Sequence, residues 1–191
     1  MDEEMWAWFS RHSANYSTSI LPTLNRPRSR GHIKLRSSDP RDHPLIQPNY
    51  LADQRDVDTL VAGIRKALQL LDTAAMRGAG AQLWAEQLPH CAHLAADSAE
   101  YWECYVRAAA LTVYHPVGTC AMGPVLDARL RVRGLQRLRV VDGSAMPKLV
   151  GGNTNAPIIM MAEKGADMII KDFDINRNNL ADMESNIKDE L

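Results

Sequence analysis

A strand–turn–helix pattern between residues 138 and 170 constrains the fold of this chain more than any other feature. Leu138–Asp142 is a short, nearly all-apolar run, which is typical of a strand buried on both faces. A glycine turn follows, and Gly151–Pro157 then supplies polar capping residues and a proline, which mark a helix start. The pattern therefore predicts a buried strand joined by a loop to a helix from Ile158 to about Ile170. We expect that helix to be buried, because its first two turns are apolar.

This junction and an upstream histidine have the features of a binding site. The unpaired N–H groups and the positive dipole end of a helix suit a negatively charged or electron-rich ligand. Upstream, His115 precedes Pro116 and lies close to Gly118, and such rigid and permissive flanks suit a side chain held at the edge of a cleft. Taken singly, each feature also fits an ordinary strand–loop–helix connection or a hydrogen-bonded structural histidine.

The first part of the chain carries signals of short strands. Gly31–Arg36 alternates polar and apolar residues, as a half-buried strand does, and Leu45–Tyr50 is a second extended piece. Before them, the aromatic run Met5–Phe9 is expected to pack on a partner element.

Two helices are predicted between these strands and the histidine. One opens at Asp56, follows a 3.6-residue apolar period and ends at Gly78 and Gly80. The other is expected to begin near Asp97, with Glu100 completing a capping box, and to continue to the alanines at 108–110.

Composition excludes several classes of protein. The 22 basic and 23 acidic residues give a net charge of -1, so no bulk field points to nucleic acid or to a membrane surface. No apolar stretch approaches the length of a membrane span, and the acidic start does not resemble a secretory signal. The cysteines Cys91, Cys104 and Cys120 are odd in number and lack paired spacing, so we expect buried thiols rather than a disulfide framework.

The sequence also offers residues for two other kinds of site, a metal site and a serine hydrolase site. A metal site could be assembled from His90, Cys91, His93 and Cys104, but the spacing lacks the paired C-x-x-C arrangement of structural zinc, so packing is favoured and no metal is predicted. A serine hydrolase centred on Ser144 is weaker still, because its surroundings are not a G-x-S-x-G elbow.

Three ordered motifs together resemble the C-terminal signature of the glucose–methanol–choline (GMC) oxidoreductases, FAD enzymes that oxidise alcohols. The motifs are His115–Thr119 with Met122–Gly123, Leu138–Ser144 with Met146–Pro147, and Gly152–Pro157. Arg26–Gly31 and Asp39–Tyr50 are also similar to that family, and most of all to its insect glucose-dehydrogenase-like branch. The resemblance extends from about residue 20 to residue 171.

The resemblance implies an α+β fold, with an antiparallel-sheet substrate domain and its helices, plus the last strand and helix of an FAD domain. It assigns residues 1–26 to a lead-in from a missing upstream part, 27–110 to part of the substrate-binding domain, 111–171 to the catalytic and FAD-contacting segment, and 172–191 to a flexible tail. The chain has no G-x-G-x-x-G loop for the ADP moiety. It is therefore expected to be a C-terminal fragment of a longer enzyme.

The family's chemistry implies roles for particular residues. His115 would take the hydroxyl proton of an alcohol whose carbon gives a hydride to flavin N5, and the Asn153 amide would donate to the substrate oxygen. The FAD contacts would come from Asp142, Gly143 and Ser144, chiefly through backbone N–H groups, and from Thr154 and Asn155 at the helix N-terminus. The partner would be a small-molecule alcohol, and the electron acceptor is left open.

Two alternatives stay open at this point. The missing ADP loop also fits a non-catalytic remnant that acts as a binding or interaction protein, although intact His115 and Asn153 argue against it. The ending Lys188–Leu191 spells an endoplasmic-reticulum retention signal, which would imply a parent protein in the secretory pathway, or else it is a chance charged ending.

Overall fold

The computed structural model describes residues 3–11 and 17–189, with side chains described through residue 173. The chain divides into two compact units, Met1–Val113 and Tyr114–Leu191. Each unit has its own cluster of buried apolar side chains.

The first unit combines helices with a small antiparallel sheet. Its helices are α1 (Glu3–Arg11), α2 (Gln54–Leu68), α3 (Ala74–Gly78) and α4 (Ala99–Ala109). Strands β1 (His32–Lys34) and β2 (Leu45–Gln47) pair antiparallel, with Ile33 opposite Ile46. The two expected extended pieces therefore pair, but both strands are exposed along their length rather than half-buried. Pro44 and Pro48 flank β2 and lack N–H donors, which limits the ladder to three residues.

The start of α2 is tied to the preceding loop by one buried carboxylate. Asp56 accepts hydrogen bonds from the N–H groups of Arg28 (2.8 Å) and Ser29 (2.8 Å) and from the Ser29 hydroxyl (2.6 Å). The same hydroxyl accepts from the N–H of Asp53, the N-cap residue, at 3.0 Å. Burial by itself would raise the pKa of Asp56, but the hydrogen bonds from Ser29 and Arg28 hold it below its ordinary value. Residues 28–29 and the first turn of α2 are therefore a single hydrogen-bonded unit.

The long helix expected from Asp56 to Gly78 is two helices. After α2 the chain forms a 3₁₀ turn over Gln69–Asp72, and Thr73 has extended backbone dihedrals. The Thr73 hydroxyl accepts from the Met76 N–H at 3.4 Å and donates to the Leu70 carbonyl at 2.7 Å. This threonine caps α3, which is a break that the apolar period alone does not reveal.

The expected capping box of α4 is wrong by one residue. Ser98 is the N-cap, and its hydroxyl accepts from the Tyr101 N–H at 3.0 Å. Asp97 instead lies in the left-handed region at φ +62°. Its carboxylate accepts from Arg65 of α2 at 2.5 Å and from the Trp102 indole at 2.6 Å, so it links α2 to α4.

The core of the first unit contains a disulfide. The buried residues of its cluster are Met5, Trp8, Leu88, Cys91, Tyr101 and Trp102. Cys91 is bonded to Cys104 of α4, with the two Cα atoms 5.9 Å apart. The expectation of buried thiols without a disulfide is therefore wrong for this pair, because α4 brings together two cysteines whose spacing matches no motif. Cys120 is free.

The same bond contradicts the metal alternative. Cysteine binds zinc as a thiolate, and neither sulfur of the Cys91–Cys104 disulfide is one. Among the residues that the structure describes, no group of three or more His, Cys, Asp or Glu side chains is placed to hold a metal ion.

The second unit packs loops and one long helix around Leu126, Leu130, Ala145, Met146 and Met161. The expected buried strand Leu138–Asp142 is an extended segment that makes one isolated bridge, between Arg131 and Arg139. It pairs along one edge, through Val132 N–H to the Leu138 carbonyl and Val140 N–H to the Leu130 carbonyl. Leu138 is 46% exposed, so burial on both faces is also wrong within the described chain.

Helix α5 (Asn155–Asp189) begins where the proline and capping residues indicate, but it is much longer than expected. It is also less buried: Met161 is 9% exposed, whereas Ile159 and Met160 are more than half exposed. Gly165 allows α5 to approach the extended segment, because a Cβ there would lie 2.6 Å from Val141 Cγ1. The last two residues of the retention-like ending, Glu190 and Leu191, lie outside the described residues.

The α+β class expected from the sequence is confirmed, with helices and a small antiparallel sheet. Across the described residues, no helix combines the length and apolar character of a membrane span.

Candidate active site

His115 lies on a loop whose course is set by two unusual backbone conformations. Tyr114 has φ +59° although it is not glycine, and Gly118 has φ +90°. A Cβ at Gly118 would lie 3.2 Å from the Met146 carbonyl oxygen, so glycine is required both for its dihedral and for the space. Between them, His115 is half-buried.

Backbone hydrogen bonds attach this loop to the turn after the extended segment. The N–H of Cys120 donates to the Ser144 carbonyl at 2.9 Å, and the N–H of Met122 donates to the Ala145 carbonyl at 2.9 Å. The loop that carries His115 is therefore hydrogen-bonded to the Asp142–Ala145 turn, which the sequence analysis predicts to contact FAD.

That turn is a 3₁₀ turn over Gly143–Ala145, capped by Asp142. One carboxylate oxygen of Asp142 accepts both the Ser144 N–H, at 2.7 Å, and the Ser144 hydroxyl, at 2.5 Å. The Ala145 N–H donates to the Asp142 carbonyl at 3.1 Å. The Ser144 N–H is thus engaged within the turn, so of the three N–H groups predicted to contact FAD, those of Asp142 and Gly143 are the remaining candidates.

The start of α5 presents polar residues of different exposure. Thr154 is buried, and its carbonyl accepts from the Ile158 N–H at 3.0 Å, which places Thr154 at the N-cap position. Asn153 and Asn155, on either side of it, are exposed. The first-turn N–H groups of a helix have no intrahelical acceptors, so this end of α5 offers donors and the positive end of the dipole.

The three motif segments meet at Gly143. A Cβ at this position would lie 3.1 Å from Ile158 Cδ1, in the first turn of α5, and 3.8 Å from Val117 Cγ1, two residues after His115. The structure therefore brings the histidine loop, the Asp142–Ala145 turn and the N-terminus of α5 together around one glycine, although Val117 precedes Gly143 by 26 residues and Ile158 follows it by 15.

An ion-pair cluster that the sequence analysis did not predict ties α5 to the loop segments of the second unit. Asp172 of α5 binds both Arg129, at 2.5 Å, and Arg139. Nearby, the backbone N–H of Arg131 is the main cause that lowers the pKa of Asp127 to about 2. The sequence analysis places Asp172 in a flexible tail. The sequence signal for an acidic partner here is the run of alternate arginines from 129 to 133.

A pyrimidine or phosphate-bearing cofactor finds suitable chemistry at this junction. The end of α5 supplies N–H donors and a positive dipole. The Asp142 carboxylate has a second oxygen that the turn does not use. The assignment of FAD contacts to Asp142, Gly143, Ser144, Thr154 and Asn155 stays a prediction.

Comparison with known proteins gives the family. Residues 27–162 match the model of the C-terminal domain of GMC oxidoreductases. The chain is 46% identical over 156 residues to glucose dehydrogenase [FAD, quinone] of Drosophila pseudoobscura pseudoobscura, covering 78% of this chain and 25% of that protein. It is 45% identical over 164 residues to alcohol dehydrogenase [acceptor] of Pseudomonas putida, covering 84% of this chain and 28% of that protein.

Comparison with solved structures points to the same family. A fungal aryl-alcohol oxidase superposes with a TM-score of 0.69 at 36% identity, covering 78% of this chain and 25% of that one. The chain therefore spans about a quarter of the length of the curated relatives it matches. The match lies at the family's C-terminal domain and bears out the insect glucose-dehydrogenase-like resemblance. This chain belongs to the GMC oxidoreductase family.

Proposed function

We propose that this chain is the catalytic and flavin-contacting C-terminal part of a longer FAD-dependent oxidoreductase that acts on the CH–OH group of small-molecule alcohols. The observation that carries the proposal is the meeting of the His115 loop, the Asp142–Ala145 turn and the N-terminus of α5 around Gly143. The relatives named as FAD-dependent or as alcohol dehydrogenases support the cofactor and the substrate class.

The proposed chemistry divides between the cofactor and this chain. A bound flavin supplies a two-electron acceptor for the hydride that leaves the alcohol carbon. The His115 imidazole accepts the hydroxyl proton as the C=O bond forms, because imidazole exchanges protons efficiently near neutral pH. The exposed amide of Asn153 donates a hydrogen bond to the substrate oxygen, where negative charge develops.

The other predicted residues hold the cofactor and the geometry. The N-terminus of α5, at Thr154 and Asn155, would hold the flavin ring, offering N–H donors and the positive end of its dipole to negative charge there. Asp142 keeps the 3₁₀ turn closed through its two bonds to Ser144. That closed turn in turn anchors the histidine loop through the Ser144 and Ala145 carbonyls.

The test uses the full-length flavoprotein that carries this sequence, purified with its flavin. We expect His115→Ala to slow alcohol-dependent bleaching of the flavin by about 10² to 10⁴-fold, the usual contribution of a general base, with flavin content unchanged. His93→Ala, at an exposed histidine of the first unit, is the matched control and should behave as wild type. Equal rates for His115→Ala and wild type would overturn the assignment of the base.

The non-catalytic alternative, in which the protein acts in binding or interaction, makes a different prediction. It predicts a colourless full-length protein that reduces no dye with any alcohol. A yellow protein that an alcohol bleaches excludes it.

A further inference from the structure

The Cys91–Cys104 disulfide joins two elements of the first unit that differ in burial. Cys91 ends the 3₁₀ turn Pro89–Cys91 and is fully buried, whereas Cys104 lies in the middle of α4 and is half-buried. The bond closes a segment with a sequence separation of 13 residues. It therefore fastens α4 to the turn that carries Leu88 and Cys91 in the core.

The closed segment has a second, polar anchor. Asp97 sits within it in the left-handed conformation and binds Arg65 of α2 and the indole of Trp102. The Tyr101 hydroxyl also accepts from the Leu88 N–H at 3.2 Å, across the same junction. Other hydrogen bonds also link α4 to its neighbours, among them those of Glu103 and Arg107 with Gln54 of α2. The disulfide is the only covalent link among the described residues.

Burial makes the bond resistant to reduction. A thiolate can reach the half-buried sulfur of Cys104 more readily than that of Cys91, and attack there would expel Cys91 as the leaving thiolate. The leaving sulfur would lie among Met5, Leu88 and Trp102, where an apolar environment disfavours a charged thiolate. The accessible route of attack is therefore the one with the poor leaving group.

We propose that Cys91–Cys104 is a permanent structural disulfide formed in an oxidising compartment, and that Cys120 stays a thiol. Formation is a thiol–disulfide exchange with a donor disulfide such as an oxidised dithiol oxidoreductase or oxidised glutathione. The two cysteine thiols lose two protons and two electrons to form the S–S bond, and the donor disulfide is reduced to two thiols. Because such bonds persist outside the reducing cytosol, the chain matures in a compartment of the secretory or periplasmic kind.

The first experiment counts thiols. The full chain, expressed with export to an oxidising compartment, is treated with iodoacetamide in denaturant, with and without prior reduction by a phosphine, and its intact mass is measured. We expect one label per chain without reduction, located on Cys120 by peptide mapping, and three labels after reduction. Three labels without reduction, or a label on Cys91 or Cys104, would overturn the proposal.

The second experiment measures what the bond does. We expect Cys104→Ser to lower the Tm of the tryptophan-fluorescence transition by on the order of 10 °C, because a crosslink of this loop length restricts the unfolded chain. Cys120→Ser is the matched control and should leave the Tm unchanged. Millimolar reduced glutathione is expected to leave the native wild-type bond intact for hours, and loss of the bond on that timescale would contradict the resistance argued above.

If Cys104→Ser does not fold, the same question can be tested on the wild-type chain. The chain is reduced in urea, alkylated at all three cysteines, returned to buffer and compared with chain alkylated at Cys120 alone. A lower Tm for the fully alkylated chain supports a structural bond, and equal Tm values overturn it.

Discussion

The buried Asp56 carboxylate offers the sharpest test of the fold, because Asp56→Asn changes its charge and almost nothing of its shape. In the folded chain the carboxylate accepts from the N–H groups of Arg28 and Ser29 and from the Ser29 hydroxyl, all within 3.1 Å. An amide has one acceptor oxygen and an NH₂ group that must face one of these donors. The substitution therefore costs at least one charge-assisted hydrogen bond and leaves a donor opposed to a donor.

The expected loss of unfolding free energy is about 2–3 kcal/mol. A hydrogen bond to a charged group contributes about 1.5–3 kcal/mol, and the part-buried donors recover some of this from water. All four tryptophans of the chain precede residue 103, so tryptophan fluorescence during urea denaturation reports the unit that contains Asp56. At constant m-value, the lost free energy appears as a lower urea midpoint.

Asp58→Asn is the control for Asp56→Asn. Asp58 lies on the same helix, is exposed, and accepts one hydrogen bond from Gln54. Its replacement should change the free energy of unfolding by less than about 0.5 kcal/mol. If both variants unfold at the wild-type urea concentration, the buried hydrogen-bond network does not stabilise the start of α2, and the account given above is wrong.

Three further predictions concern packing and pH. Gly165→Ala should destabilise the chain by about 1–2 kcal/mol, because the new Cβ meets Val141 and this outweighs the better helix propensity of alanine. The measurement is urea denaturation followed by far-UV circular dichroism. Gly78→Ala, which has open space around it, is the control and should be neutral or stabilising. Leu126→Ala removes a fully buried side chain and should cost about 3–4 kcal/mol in the same measurement. Hydrogen bonds to Arg55 and Arg131 hold the pKa values of Asp53 and Asp127 at about 2, below the ordinary 3.8. Their stabilisation is therefore full above about pH 4 and is lost as the pH falls toward 2, which acid titration of the Tm will show.

The sequence predicted the local parts of the site better than their surroundings. The turn after Asp142 and a helix start close to Pro157 follow from proline, glycine and capping residues, whose preferences act over three or four positions. The helix begins at Asn155, three residues before the predicted Ile158. The α+β class follows from the family resemblance. The chemical roles of His115 and Asn153 stay predictions, because they depend on a bound cofactor and substrate.

The errors share a physical cause, which is dependence on contacts between distant residues. Nothing in the spacing of Cys91 and Cys104 reveals that α4 brings them together. The apolar run Leu138–Asp142 carries the composition of a buried strand, yet among the residues that the structure describes only one of its edges is paired. Helix α5 runs past Ile170, where the side chain of Asp172 contacts two arginines that a period-based reading treats as solvent-exposed.

The attachment of the histidine loop has a consequence for protein engineering. Its two bonds to the Asp142–Ala145 turn join backbone N–H groups to backbone carbonyls, so they make no demand on the side chains at 119–122. The exposed Thr119, four residues after His115, can therefore be randomised in a library while the loop stays anchored, whereas Cys120 and Met122 pack against the core of the unit. Gly118, whose φ of +90° and contact with the Met146 carbonyl exclude larger residues, is the position such a library should leave constant.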